Sequence, residues 1–171
     1  MNGYFQNLLW FVVFVVGVSF SASGQNGRSV DIKLSDTGTK AYDELRETET
    51  FAMGGTGYAG TTSKGELALR QLIKETNAKE ALLQLIEDAT PEGGLYALVG
   101  LRGLDNEQFE AAAKTFLDKS EADERDATGM SVPAGSVKVM SGCLIFVEKR
   151  ATVVKNISSG QYDRYVEKMV G

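Results

Sequence analysis

Residues 90–104 read Thr-Pro-Glu-Gly-Gly-Leu-Tyr-Ala-Leu-Val-Gly-Leu-Arg-Gly-Leu, a stretch that opens like a helix and is apolar almost all the way round. Thr90 offers an N-cap hydroxyl, Pro91 has the fixed φ suited to the first helical position, and Glu92 sets a negative charge at the positive end of the helix dipole. At 100° per residue, Gly93, Ala97 and Gly100 form one narrow stripe, with Leu95, Leu98 and Val99 on the opposite side. Both sides require partners, so the stretch reads as a buried central helix. Each glycine costs a helix roughly 1 kcal/mol against alanine. The stripe therefore predicts close approach of a neighbouring backbone.

Working outward, residues 63–119 read as four consecutive helices, of which this is the third. Ser63 with Glu66 makes a capping box for a helix to Thr76 whose apolar set is Leu67, Leu69, Leu72 and Ile73. Asn77 with Glu80 repeats the device for a second helix to Ala89, burying Ala81, Leu82, Leu85 and Ile86. Asp105 with Gln108 caps the fourth, Asn106 to Lys119, with Phe109, Ala112, Ala113, Phe116 and Leu117 as its stripe. Successive caps with almost no linker fold neighbouring helices back on one another.

Downstream, Ser120 to Thr128 is a charged connector whose acids lack the alternate spacing and central glycine of an EF-hand loop, and it reads as solvated. Val137 and Val139 alternate with Lys138, and Leu144 to Val147 is a second apolar run, which predicts short strands within 137–147. Glu148 to Ser159 fits a helix stopped by Gly160, and Tyr162, Tyr165, Val166 and Met169 continue at helical spacing. Upstream, Val30, Ile32 and Leu34 alternate as a half-buried strand near 30–34, the proposed mate of 137–147. Asp36 to Thr39 follows as a turn, and Lys40 to Glu47 as a couple of helical turns. The expected fold class is mainly α: four antiparallel helices around a glycine-containing central helix, with a small β element.

The N-terminus has the outline of a signal peptide. Leu8 to Phe20 is nearly unbroken apolar sequence, followed by Ser21-Ala22-Ser23-Gly24, whose small residues place cleavage between Gly24 and Gln25. Residues 1–24 form the leader, 25–62 an N-terminal strand and glycine-rich loop, and 63–171 a helical region with a C-terminal strand and helix, all within one globular domain. The export expected is periplasmic or extracellular. The alternative is a membrane anchor through an uncleaved 4–24 segment, because Met1 to Asn7 lacks Lys and Arg. A formal net charge of −5 with no basic stripe argues against nucleic acid and, after cleavage, against anionic membrane surfaces. The chain has no histidine, which excludes Ser-His-Asp and Cys-His catalysis and histidine zinc sites. No metal site or cofactor is expected.

Two features carry what chemistry the sequence offers. Gly54 to Gly65 is glycine-rich and contains G-x-G-x-x-G at Gly55, Gly57 and Gly60, but the segments after it are helical, whereas a dinucleotide fold needs a second strand there. Nor is it a P-loop, since Thr61 stands where the lysine must be. The loop reads as a surface loop with positive-φ glycines, and Gly55, Gly57, Tyr58 and Gly60 are its binding candidates. Cys143 is the sole thiol. A nucleophilic Cys143 would need activation from Lys149, Arg150 or a helix N-terminus; the plainer expectation is burial beside Leu144, Ile145 and Phe146. Ser63-Lys64 is not a dyad, because Ser63 serves as a cap, and the carboxylates Glu87-Asp88 and Glu121-Asp123-Glu124 lack the apolar surroundings that acid catalysis requires.

Leu82-Leu83-Gln84-Leu85-Ile86-Glu87-Asp88-Ala89-Thr90-Pro91-Glu92, followed by Ala97, Leu101 and Leu104, resembles a HEAT-type helical repeat over 81–119, with Gly94 near where the repeat's usual arginine would stand. The stretch from Phe51 to Tyr162, including Phe51-Ala52-Met53-Gly54-Gly55, Pro91 to Leu101, Ser141-Gly142-Cys143 and Ile157 to Tyr162, is similar to a group of small exported bacterial proteins with no assigned function. That likeness implies that the glycine loop, the central helix and Cys143 belong to one structural unit. The function expected is a non-catalytic exported interaction or structural module with a protein partner. The alternative is an enzyme or redox protein using Cys143, with the loop at Gly54–Gly60 as its ligand site.

Overall fold

The computed structural model describes residues 32–119, 124–125 and 131–170. Helices α1 (Asp36–Arg46), α2 (Lys64–Leu72), α3 (Ala78–Asp88), α4 (Pro91–Leu104), α5 (Asn106–Asp118), α6 (Arg150–Ser158) and α7 (Asp163–Val170) dominate them. Between them run the short strands β1 (Gly55–Thr56), β2 (Thr61–Thr62), β3 (Glu124–Arg125) and β4 (Ser131–Val132), and the longer β5 (Ser136–Ser141) and β6 (Leu144–Lys149). Each consecutive pair of strands is antiparallel and two-stranded. The protein is mainly helical with a small β component.

The 90–104 stretch is the centre of the molecule. Thr90 caps α4 by accepting from Gly93 N–H at 3.1 Å, and α4 packs against the other six described helices and against β5. Every residue from Glu92 to Leu101 is buried. The glycines are the points of closest approach. A Cβ at Gly93 would lie 2.1 Å from the Leu45 carbonyl oxygen, and one at Gly94 would lie 2.4 Å from the Phe116 ring. At Gly100 it would meet the Leu82 and Leu69 methyls at 2.9 and 3.0 Å, and at Gly103 it would meet Val166 at 2.0 Å. Of the stripe's two glycines, Gly93 meets a neighbouring backbone as expected, whereas Gly100 receives side chains. Around α4 the core gathers Leu45, Phe51, Leu69, Leu82, Phe109 and Ile157, with the Phe51 ring 4.9 Å from Tyr96 and 5.4 Å from Tyr162.

The caps explain where the helices start. Ser63 accepts from Glu66 N–H at 3.1 Å, and Asp105 from Gln108 N–H at 3.0 Å. Asn77 stands at the N-cap of α3 but makes no capping bond: its backbone, at φ −103° and ψ 31°, is not extended as at Ser63 and Asp105, and its amide NH2 donates to the Lys33 carbonyl at 2.8 Å. That bond bears on a second correction: residues 32–34 form no strand, and 30–31 lie outside the described residues. Ile32 and Leu34 pack half-buried on the helices, while Ser35 N–H donates to Glu75 at 3.0 Å, so side chains rather than a ladder satisfy this backbone. The turn expected at 36–39 is the first turn of α1, capped by Ser35, which accepts from Gly38 N–H at 3.0 Å. Leu67, expected in the core, is 50% exposed, and Ala68 takes the inward position.

The β5–β6 hairpin pairs Ser136 with Lys149 through Ser141 with Leu144. Gly142 and Cys143 connect the strands, and Gly142 has the positive φ, +56°, that such two-residue turns require. β5 lies against the body: Val137 and Val139 are in the core, and the Lys138 N–H donates at 2.7 Å to the buried carboxylate of Glu92 on α4. The residue placed by sequence in the helix dipole thus also anchors the hairpin. The segment 1–24 and most of 120–128 lie outside the described residues. Among the described residues no helix is long and apolar enough to cross a membrane.

Candidate functional site

The glycine loop is a small closed hairpin. β1 pairs with β2, Thr56 Oγ1 donates to the Thr61 carbonyl at 2.9 Å, and the turn between them runs through Gly57 and Gly60 at φ +69° and +60°. Its base is pinned from beneath. Gly54 N–H donates at 2.6 Å to Glu66, a carboxylate only 1% exposed, whose other oxygen accepts from Arg70 at 2.5 Å. A lone buried carboxylate would be costly; here an arginine and a main-chain N–H both bond to it, fixing the loop on the first turn of α2.

Two glycine donors of the loop are already engaged. Gly57 N–H donates to the Gly142 carbonyl at 2.8 Å, and Gly60 N–H to the Gly57 carbonyl at 3.2 Å. A phosphate cradle needs such N–H groups free and converging, and the N-terminus of α2 is occupied by the Ser63 hydroxyl and Glu66. Of the loop residues singled out by sequence, Gly55, Gly57 and Gly60 thus shape and close the turn. Tyr58 remains, its side chain fully exposed at the tip.

The bond from Gly57 to Gly142 carries the main spatial result, since it brings the glycine loop against the hairpin turn that holds Cys143. Cys143 is exposed, which corrects the expectation of burial. The residues beside it are exposed as well: Leu144 by 72%, Ile145 by 54%, Phe146 by 43% and Val147 by 45%. The apolar run was legible, but its burial was not, because β6 is the outer strand of a two-stranded sheet. Lys149 and Arg150, proposed as activators of the thiol, sit at the other end of β6, roughly 20 Å away at 3.3 Å per residue. Arg150 is buried there, its guanidinium 4.6 Å over the Phe116 ring. Cys143 therefore lies beside an apolar strip, on a turn bonded to the loop that carries Tyr58, and away from Lys149 and Arg150.

Elsewhere the chemistry is sparse. Ser63, the serine of the discarded dyad, donates to the Ala52 carbonyl at 2.7 Å and is part of the frame. Among the described residues no three metal-ligating side chains converge. A cleft of ≈ 440 Å³ between α3 and α5 has Ile32, Leu83, Ile86, Ala112, Glu80 and Glu87 among its lining residues. The exposed β6 strip was missed by sequence reasoning, which singled out Tyr58 but not Leu144 to Val147. Its one available signal was four consecutive apolar residues without alternation, which suits a fully buried strand equally well. No family model, curated protein or solved structure matches the chain.

Proposed function

We propose that the protein is an exported, non-catalytic interaction module whose contact surface is the outer strand β6 with Tyr58 at its flank. The observation that carries this reading is the exposure of Leu144, Ile145, Phe146 and Val147 in succession on one strand. Contiguous apolar surface of this kind on an otherwise ordinary globular exterior marks a place where something docks. The rest of the molecule supplies a rigid mount: β5 is tied to α4 through Glu92, and the glycine hairpin braces the turn through Gly142. Export rests on the apolar run 8–20 and the Ala22-Ser23-Gly24 terminus. The HEAT-like likeness is assigned to the closely packed α3–α4 hairpin. Because α4 is enclosed on all sides, that pair contributes the frame and leaves the binding face to β6.

The test uses the full chain with a C-terminal tag, recovered from the exported fraction. Its intact mass should place the first residue at Gln25, and a co-purifying protein should be lost in Ile145→Lys, a change at a half-exposed site that leaves the melting curve in place. A chain still starting at Met1 in the membrane fraction would overturn the export claim. Equal recovery with Ile145→Lys would overturn the surface. The rival reading, catalysis at Cys143, predicts that iodoacetamide modifies the native thiol faster than free cysteine and that Cys143→Ser abolishes an activity without affecting folding.

A further inference from the structure

We infer that the free edge of β6 is a self-docking surface, on which two copies of this chain pair their β6 strands antiparallel about a two-fold axis at Phe146. The inference rests on the interaction-module reading and names the occupant of its surface. It starts from the direction of main-chain groups. Phe51 N–H donates to the Lys138 carbonyl at 2.8 Å, and Met140 N–H to the Phe51 carbonyl at 2.9 Å. Along a strand in an antiparallel pair, residues alternate between turning both main-chain groups towards the partner strand and turning both away. Lys138 and Met140 turn away from β6, so Val137, Val139 and Ser141 exchange bonds with Glu148, Phe146 and Leu144, their partners in the register. The outward groups of β6 accordingly belong to Ile145, Val147 and Lys149. Lys149 N–H is taken up by the Glu148 carboxylate at 2.9 Å, which leaves the edge of Ile145 and Val147 facing solvent among the described residues.

Folded proteins blunt such edges with lysine, proline or a bulge, because an unpaired strand templates another. Leu144 to Val147 carries none of these. Antiparallel pairing of a strand with its own copy is isologous, so it closes on a dimer instead of propagating. One register joins all the free groups: Ile145 opposite Val147 of the second copy, and Val147 opposite its Ile145. It sets the two Phe146 residues across the axis as a non-hydrogen-bonded pair, with Cα atoms about 4.5 Å apart. It also places Leu144 opposite Glu148 and keeps the two Glu148 carboxylates from facing each other. The four β6 side chains expose roughly 400 Å² of apolar surface per copy, split between the two faces of the ribbon so that edge pairing covers only part of it, well short of the roughly 800 Å² per partner in a standard interface. The dimer is therefore reversible. Since each chain carries a net charge of −5, it tightens with added salt.

The experiment is disulfide trapping in the full chain. Phe146→Cys in a Cys143→Ser background should form a covalent dimer on mild oxidation, because the paired positions fall within disulfide reach. Leu144→Cys in the same background places the two thiols roughly 13 Å apart along the strands and should cross-link at least tenfold more slowly. Sedimentation of the unmodified chain should show a concentration-dependent dimer that Ile145→Lys removes. Equal cross-linking of the two cysteine variants, or a monomer at every concentration, would overturn the inference. If the chain is monomeric while Ile145→Lys still releases a captured protein, a foreign strand occupies the edge; the dimer falls and the module reading stands. If neither dimer nor captured protein depends on Ile145, both fall.

Discussion

Gly93→Ala should destabilise the protein by about 3 kcal/mol, whereas the same substitution at Gly100 should be close to neutral. Both glycines lie in α4 and both are buried, so helix propensity predicts a gain of about 1 kcal/mol for either. What differs is the neighbour. The new methyl at residue 93 would lie 2.1 Å from the Leu45 carbonyl oxygen, a main-chain atom at the end of α1. That end is not free to withdraw: Thr90 N–H donates to the Arg46 carbonyl at 3.0 Å, and Thr90 Oγ1 to the Thr48 carbonyl at 2.5 Å. Moving α1 back would break these bonds and open the core at Leu45. At Gly100 the methyl meets only the tips of Leu82 and Leu69, which can rotate by a few tenths of an ångström. Urea midpoints of the two variants measure the contrast, and equal midpoints would refute it. Gly100→Leu, which no small adjustment accommodates, should lose roughly 1 to 3 kcal/mol through overpacking.

Tyr96→Phe should cost about 2 kcal/mol at neutral pH, and that cost should shrink as the pH rises above 10. The Tyr96 hydroxyl donates to the Ala52 carbonyl at 2.8 Å and accepts from the Ala52 N–H at 2.8 Å, inside the core. Phenylalanine leaves the Ala52 N–H buried without its acceptor. Burial pushes the phenol up to about 12, against 10.0 in an unfolded chain. Between those values the folded state holds a proton that the unfolded state has released. The contribution of Tyr96 is therefore fully present below pH 10 and is lost as the pH climbs toward 12, on the order of 3 kcal/mol in all. Tyr42, also raised to about 12, is common to both proteins and cancels in the difference. Paired urea titrations from pH 8 to 11.5 should show the gap closing; a constant gap would mean that the hydroxyl does not sense burial.

These two sites also show where sequence is informative. The caps at Ser63, Thr90 and Asp105 were legible because each is a bond between a side chain and a backbone three residues away. Asn77 failed as a cap because the turn leading into α3 holds its backbone at φ −103° and ψ 31°, away from the extended geometry of a cap, which its residue type does not reveal. The start of α1 was hidden by Gly38, which looks like a turn residue but sits in a helix where a Cβ would lie 2.5 Å from the Glu75 carboxyl. Gly93 was recognised as a contact, but only the fold says whether backbone or side chain receives it. The contact surface was the least legible part. Leu144 to Val147 has the composition of a core strand, and its exposure depends on how many strands lie beyond it, which no local pattern encodes. Glu66 is the converse, a carboxylate buried because a loop folded over it.

The enclosure of α4 bears on how the chain can be assembled in time. A helix that is apolar all round has no stable half-covered form in water, yet its cover comes from both directions along the chain. Leu45 closes it at Gly93 from upstream, and Val166 at Gly103 from far downstream. As the polypeptide leaves the ribosome, α1 to α3 can gather around nothing durable until α4 follows them, and α4 stays partly uncovered until α7 has emerged. The order in which these partners emerge thus keeps α4 from settling until α7 has joined it, so the core closes late rather than growing helix by helix.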